Sequence, residues 1–350
     1  MSITWLKKPV KQILQSDLDA ALAYQNQLTK PAGSLGRLED IAIRLSAMQQ
    51  TDKPSVDKIH ISVFAADHGI AEENVSAFPQ VVTTEMIKNF ARGGAAISVL
   101  AKQHDACLEV IDLGAVIEPE KLEGVLSQRI AAGTNNFSQQ AAMTEEQLAM
   151  ALQIGHDSIL RAIKNKVDIY IGGEMGIANT TTAAAIAAAI LQRPAEDLVG
   201  PGTGVNAQGV AHKASVVNKA LKLHANKMNS AEDILRCVGG FEIAGLCGAY
   251  IAAAQQGLPV LIDGFISSVA ALAASKINPQ SVNWFIYCHR SAEPGHKLIM
   301  EALNASPLLD IGMRLGEGSG AAVAVSLLKS ACALHNQMCT FADAGVSVSE

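Results

Sequence analysis

The chain has 350 residues, 49% of them hydrophobic and only 4% aromatic, with a formal net charge of −6 at neutral pH. That much apolar material fills the core of one large domain with an appendage, or of two modest domains, and the recurring Ala, Gly and Ile predict a core of small, closely approaching side chains. Lysines and arginines are scattered, so the charge footprint of a nucleic-acid binder is missing and no nucleic-acid partner is expected.

No apolar run of signal-peptide length follows the two lysines of MSITWLKKPV at the N-terminus. The longest apolar region, 241–275, is interrupted by Gln255, Gln256, Pro259 and Asp263 and does not fit a membrane span of about 20 residues. A cytoplasmic protein without a membrane span is expected. Six cysteines, Cys107, Cys237, Cys247, Cys288, Cys332 and Cys339, lie far apart in apolar stretches with no C-x-x-C pair and no histidines at zinc-ligand spacing. They read as reduced, buried thiols, and no metal site is expected.

In chain order, Leu35, Leu38, Ile41, Leu45 and Met48 recur at helical spacing and predict a helix over 34–48. Short apolar runs then alternate with helical patterns: 59–64, 107–112, 167–171, 259–262 and 284–288. Continuous apolar runs of this kind predict strands buried on both faces by crossover helices, hence an α/β fold with a mainly parallel, Rossmann-like sheet. No linker, repeat or low-complexity segment divides the chain. Residues 1–55 and 315–350 are read as helical parts of a small domain, and 56–314 as a large α/β domain with the substrate site.

Three glycine-rich segments are candidates for chemistry. In VDIYIGGEMGIANTTTAAA, from 167, a strand enters a glycine-rich turn and an alanine-rich helix, with Asn179 or Thr180 placed to cap that helix and favour an anion. The hydroxyls of Thr180 and Thr181 add donors. The same punctuation also starts ordinary helices, but Glu174 would repel a phosphate unless it faced another part of a substrate, which suggests a polar or protonic role. In VGPGTGVNAQGVAHK, from 199, Gly202, Gly204 and Gly209 alternate with polar side chains and lead to Lys213. This reads as a backbone nest beside a cation, or equally as a solvated lysine at a helix start. In MRLGEGSGAA, from 313, Glu317 stands between Gly316 and Gly318 at the opening of a helix expected to reach about His335. It has the setting of a general base at a sheet end, or of a simple helix cap.

Asp67, His68 and Asp263 follow predicted strands, where open α/β sheets bind ligands, although each serves equally as a turn former. His289, Ser291 and His296 cluster after the fifth strand and read as loop hydrogen-bonding groups rather than metal ligands. Neither the G-x-x-x-x-G-K-[ST] loop nor the G-x-G-x-x-G fingerprint with its downstream acid is present, so no bound nucleotide cofactor is expected.

Taken together, KPAGSLGRLE (30–39), AADHGI (65–70), VSAFPQVVT (75–83), GEMGIANTT, GGFEIAGLCG (239–248), LIDGF and RLGEGSGAA form a series running through nearly the whole chain. The series resembles the nicotinate-nucleotide:dimethylbenzimidazole phosphoribosyltransferases of cobalamin lower-ligand assembly. The resemblance implies transfer of ribose 5-phosphate from nicotinate mononucleotide to 5,6-dimethylbenzimidazole, giving α-ribazole 5′-phosphate and nicotinate. It implies Glu317 as proton acceptor, with Glu174 as a second catalytic carboxylate. Gly176, Asn179, Thr180, Thr181, Gly202, Gly204, Lys213 and Gly316 are then expected around phosphate and ribose, and Phe78, Met86, Met175 and Leu315 around the base. It also implies a homodimer of chains with a Rossmann-like large domain and a small helical domain from both termini. Two alternatives stand beside it: a non-catalytic nucleotide-binding regulator, and the same transfer onto a different base.

Overall fold

A computed structural model describes residues 3–347 apart from Thr203; the ends of the predicted 1–55 and 315–350 segments lie outside the described residues. Six strands, β1 Ile59–Ala66, β2 Cys107–Gly114, β3 Val125–Ser127, β4 Ile169–Met175, β5 Val260–Ile262 and β6 Phe285–Tyr287, form one parallel sheet in the order β3-β2-β1-β4-β5-β6. This is the doubly wound order, with its reversal between β1 and β4, and the crevice at the strand C-termini there is where ligands bind in such sheets. Every residue of β1 is buried, as a strand covered on both faces requires.

The helices that position the site are, in order, α1 Gln15–Gln25, α2 Arg37–Gln49, α3 Val81–Ala91, α4 Ala96–His104, α5 Glu145–Lys164, α6 Asn179–Leu191, α7 Ala207–His224, α8 Ala231–Val238, α9 Phe241–Gln256, α10 Phe265–Ile277, α11 His296–Ala302 and α12 Ser319–Gln337. Alanine-rich α6 and α10 and the largely apolar α9 are buried nearly throughout, the small-residue core anticipated from composition. The N- and C-terminal helical segments meet: Gln25 of α1 bonds His335 of α12 at 2.8 Å, and Leu28 bridges Thr340. Trp284 Nε1 donates to Lys11 O at 2.9 Å, fastening the N-terminal segment to the sheet domain.

Several expected boundaries shift. The short β3 lies outside the predicted strands, because its three residues are at best partly buried and form no long apolar run. The helix expected over 34–48 begins at Arg37, after Gly36 in its N-cap position. Gly172 and Gly173 lie within β4 rather than in a turn; a Cβ at Gly173 would overlap the carbonyl oxygen of Glu317, so glycine here admits the third loop against the strand. Gly209 and Lys213 belong to α7, which Asn206 caps by accepting from Gly209 N at 2.9 Å. All six cysteines are free, but Cys107 and Cys339 are exposed, against the expectation of burial, because each sits at an element edge. Among the described residues no helix is long and apolar enough to cross a membrane.

Candidate active site

A cavity of about 600 Å³ opens at the C-terminal edge of the sheet. Its wall takes residues from the end of β4 and beyond it (Glu174, Gly176, Asn179, Thr180), after β5 (Asp263 to Ser267), after β6 (His289, Ser291, Glu293), from α3 (Val82, Met86) and from the segment before α12 (Arg314 to Glu317). Phe78, Met175 and Leu315 complete its apolar part. Segments from distant parts of the chain therefore meet because the strand ends do.

Glu317 is buried and occupies the left-handed region, with φ of 65°, between Gly316 at 92° and Gly318 at 87°. Three consecutive positive φ values turn the chain sharply, and only the flanking glycines adopt them freely. The carboxylate does cap a helix, but not the one it precedes: Glu317 Oε2 accepts from Ile97 N of α4 at 3.2 Å. Asp263 supports the same turn, accepting from Gly318 N at 3.2 Å and Ala321 N at 2.9 Å, so its role exceeds that of a local turn former. Burial pushes the Glu317 carboxyl above the usual carboxylate range; the Ile97 N–H opposes this and the Asp263 charge adds to it.

Glu174, the penultimate residue of β4, lies beside Glu317. Burial, with the Glu242, Asp263 and Glu317 carboxylates around it, drives its carboxyl well above the usual range, against the lowering effect of the Glu317 N–H. Its Oε2 accepts from the Asn179 side-chain amide. That contact overturns the expected cap: α6 begins after Ala178, at φ 76°, with no side-chain cap, because Asn179 is committed to Glu174 and Thr180 to Lys213.

Lys213 is fully buried rather than solvated; its Nζ donates to Thr180 Oγ1 at 3.0 Å and Gly200 O at 3.2 Å. It lies behind Thr180 and Gly202, which form the wall. Burial pulls its ammonium down to about 8, with the Glu293 charge opposing. Arg314, in the RLGEGSGAA segment, lines the cavity and donates to Gly202 O at 2.8 Å. Thr181 and Gly204 do not line the cavity: Thr181 is wholly buried in α6, and Gly204 faces open space.

Behind the wall, Asp67 accepts from Thr83 Oγ1 at 2.6 Å and Val116 N at 2.7 Å, and Thr83 Oγ1 in turn accepts from Ile177 N at 3.1 Å. His68 bonds Thr182 Oγ1 through Nδ1 at 2.9 Å, and its Nε2 lies 2.9 Å from Glu242 Oε1 without hydrogen-bond alignment. His296 accepts from Ser291 N at 2.8 Å and meets Ser268 Oγ at 3.0 Å, the loop hydrogen bonding anticipated for it; burial pulls its imidazole down to about 4. Glu242 and Glu293 escape sequence reasoning, since neither has a glycine directly beside it as Glu174 and Glu317 do.

Residues 10–346 match the family described as Phosphoribosyltransferase. The chain is 54% identical over 347 residues to the nicotinate-nucleotide–dimethylbenzimidazole phosphoribosyltransferase of Pseudomonas putida (strain W619), covering 99% of each. The enzyme of the same name from Pseudomonas fluorescens (strain SBW25) is 55% identical, again over 99% of both chains. The chain belongs to the nicotinate-nucleotide:dimethylbenzimidazole phosphoribosyltransferase family. Its fold agrees with the crystal structure of CobT from Thermus thermophilus, at a TM-score of 0.91 and 40% identity over 95% of this chain and 100% of that one. A second structure of the phosphoribosyltransferase from that organism gives a TM-score of 0.90 at 39% identity, over 96% and 99%. Within this family framework the carboxylate pair and Arg314 line one crevice at the sheet reversal, with Lys213 behind its wall.

Proposed function

We infer that the chain transfers the 5-phosphoribosyl group of nicotinate mononucleotide to 5,6-dimethylbenzimidazole, releasing nicotinate and α-ribazole 5′-phosphate, in the assembly of the cobalamin nucleotide loop. The observation that carries the site reading is one cavity where the buried Glu174 and Glu317 carboxylates stand together, with a cationic end and an apolar wall. Nicotinate leaves from a pyridinium that is already cationic, so its departure needs no acid. The benzimidazole attacks the anomeric carbon through its unprotonated nitrogen, and the other nitrogen's N–H becomes strongly acidic as the C–N bond forms. A carboxylate on that N–H stabilises the developing charge and takes the proton.

Glu317 is assigned this role and Glu174 that of a neutral neighbour. Neighbouring carboxylates with separated protonation states divide such work, and Glu174 is the more strongly raised of the two. Thr180, Gly202, Lys213 and Arg314 supply hydrogen bonds and charge for the donor phosphate, with Gly176, Asn179 and Gly316 lining the ribose. Phe78, Met86, Met175 and Leu315 form the slot for the planar base. Residues 1–55 and 315–350 are assigned to a small helical domain packed against 56–314, in a cytoplasmic homodimer.

Incubating the protein with nicotinate mononucleotide, with and without a panel of benzimidazoles and purines, tests the reading. Nicotinate release that depends on the base, with the matching ribotide mass and a preference for 5,6-dimethylbenzimidazole, is expected. Donor binding without transfer to any base would favour a nucleotide-binding regulator and sink the assignment.

A further inference from the structure

Glu293, in the turn between β6 and α11, is a buried carboxylate that neither the carboxylate pair nor the apolar slot accounts for. It is 5% exposed and lines the cavity, and neither of its side-chain oxygens has an aligned hydrogen-bond partner, although the Gly202 backbone lies close enough to lower its carboxyl. Its backbone is fixed instead: Glu293 N donates to Ser291 Oγ at 3.3 Å, and its carbonyl accepts from His296 N at 3.0 Å. The charges facing it are Lys213 from α7 and Arg314 from the segment before α12. Lys213 Nζ bonds Gly200 O, the Glu293 carboxylate packs against Gly200, and Arg314 bonds Gly202 O, so all three groups converge on residues 200–202.

A buried carboxylate without partners is costly, and it is more so beside a ligand that is itself a dianion. Two cations and one carboxylate leave a single net positive charge for a phosphate bearing two negative ones. A protonated carboxyl removes that excess and offers an O–H donor where a carboxylate offers only acceptors. We propose that Glu293 takes up a proton from solvent when the donor phosphate binds, and as a neutral acid donates it in a hydrogen bond to a phosphate oxygen held between Lys213 and Arg314. No bond other than O–H changes, and the phosphate stays dianionic. Burial already pushes the Glu293 carboxyl above the usual range, with Lys213, Arg314 and the Gly202 backbone opposing, and a bound phosphate dianion adds to the push. Glu293 thereby becomes a specificity-determining residue that couples phosphate recognition to pH, an inference that rests on the donor proposed above.

The test measures dissociation constants for nicotinate mononucleotide and its phosphate-free nucleoside between pH 6.5 and 7.5, in the parent and in Glu293→Gln. Lys213 stays mostly protonated across that window and the free phosphate is largely dianionic, so neither adds much slope. For the nucleotide, the parent constant should rise nearly tenfold across the unit, the slope of one linked proton, while that of Glu293→Gln changes less than twofold. The nucleoside should bind both proteins with no such slope, and the phosphorus resonance of bound nucleotide should stay at its dianion position. Equal slopes in parent and variant overturn the proposal, as does a bound monoanion, which would place the proton on the phosphate. If the folded parent does not bind the nucleotide at all, the donor assignment itself fails, and that result is distinct from binding without a pH slope.

Discussion

Glu317 pairs an unfavourable backbone with a strengthened base. A non-glycine residue at φ 65° costs on the order of 1 kcal/mol, and the loop is held there by Asp263, by the Ile97 N–H and by the close pass over Gly173. Replacing Glu317 with Gln keeps the shape and removes the proton acceptor. Turnover should fall by about 100-fold or more while nicotinate mononucleotide binding holds, as single-turnover and equilibrium measurements would separate. Because the base must be ionised and its carboxyl is raised by burial, parent activity should decline as pH falls through that raised value, and Glu317→Gln should lose this limb of the profile. Unchanged turnover removes Glu317 from the mechanism. The two glutamates are legible in the sequence because glycines stand beside them. Glu293 is not, since what singles it out is the absence of partners in three dimensions.

The strands make one shared platform, and Glu109 of β2 shows how they are tied. Its carboxylate takes Ser62 Oγ at 2.7 Å and lies 3.3 Å from His60 Nε2, both on β1, and it accepts from Arg161 Nε at 2.8 Å and Nη2 at 3.0 Å on α5. Burial raises this carboxyl, but His60, Arg161 and Ser62 together outweigh burial and hold it down to about 2. A carboxyl depressed on folding contributes stability that is present above its unfolded value and is lost as pH falls toward the folded one. Glu109→Gln should therefore cost about 2–3 kcal/mol at neutral pH. That deficit should narrow from about pH 4.5 downward and nearly vanish near the folded value, read by denaturant unfolding at several pH values. A deficit that is constant with pH would mean the loss is packing alone. At this scale the strands other than β3 are legible through their continuous apolar runs. The ties between strands stay hidden, since they pair positions such as 62, 109 and 161 that no local pattern connects.

For the whole molecule, exposed apolar side chains gather near the cavity. Phe78 is 49% exposed, Leu315 60% and Ile117 50%, and the Ile117 carbonyl is bonded by Thr84 of α3. Large apolar residues left open beside a substrate site are suited to burial by a second copy. Light scattering should give the mass of two chains, with Leu315→Glu shifting the population toward one; a parent mass of one chain rules out the homodimer. The α/β class is legible from the alternation of elements, whereas the meeting of the terminal segments is not, because it rests on long-range contacts such as Gln25 with His335. Those contacts have a mechanical consequence. Helix α12, 19 residues and about 28 Å long, begins two residues after Glu317 and ends where the first and last segments of the chain are fastened together. It is a rigid rod with the reaction at one tip and the Leu28–Thr340 pairing at the other, so a pull on the segment that follows it travels along it toward the proton acceptor.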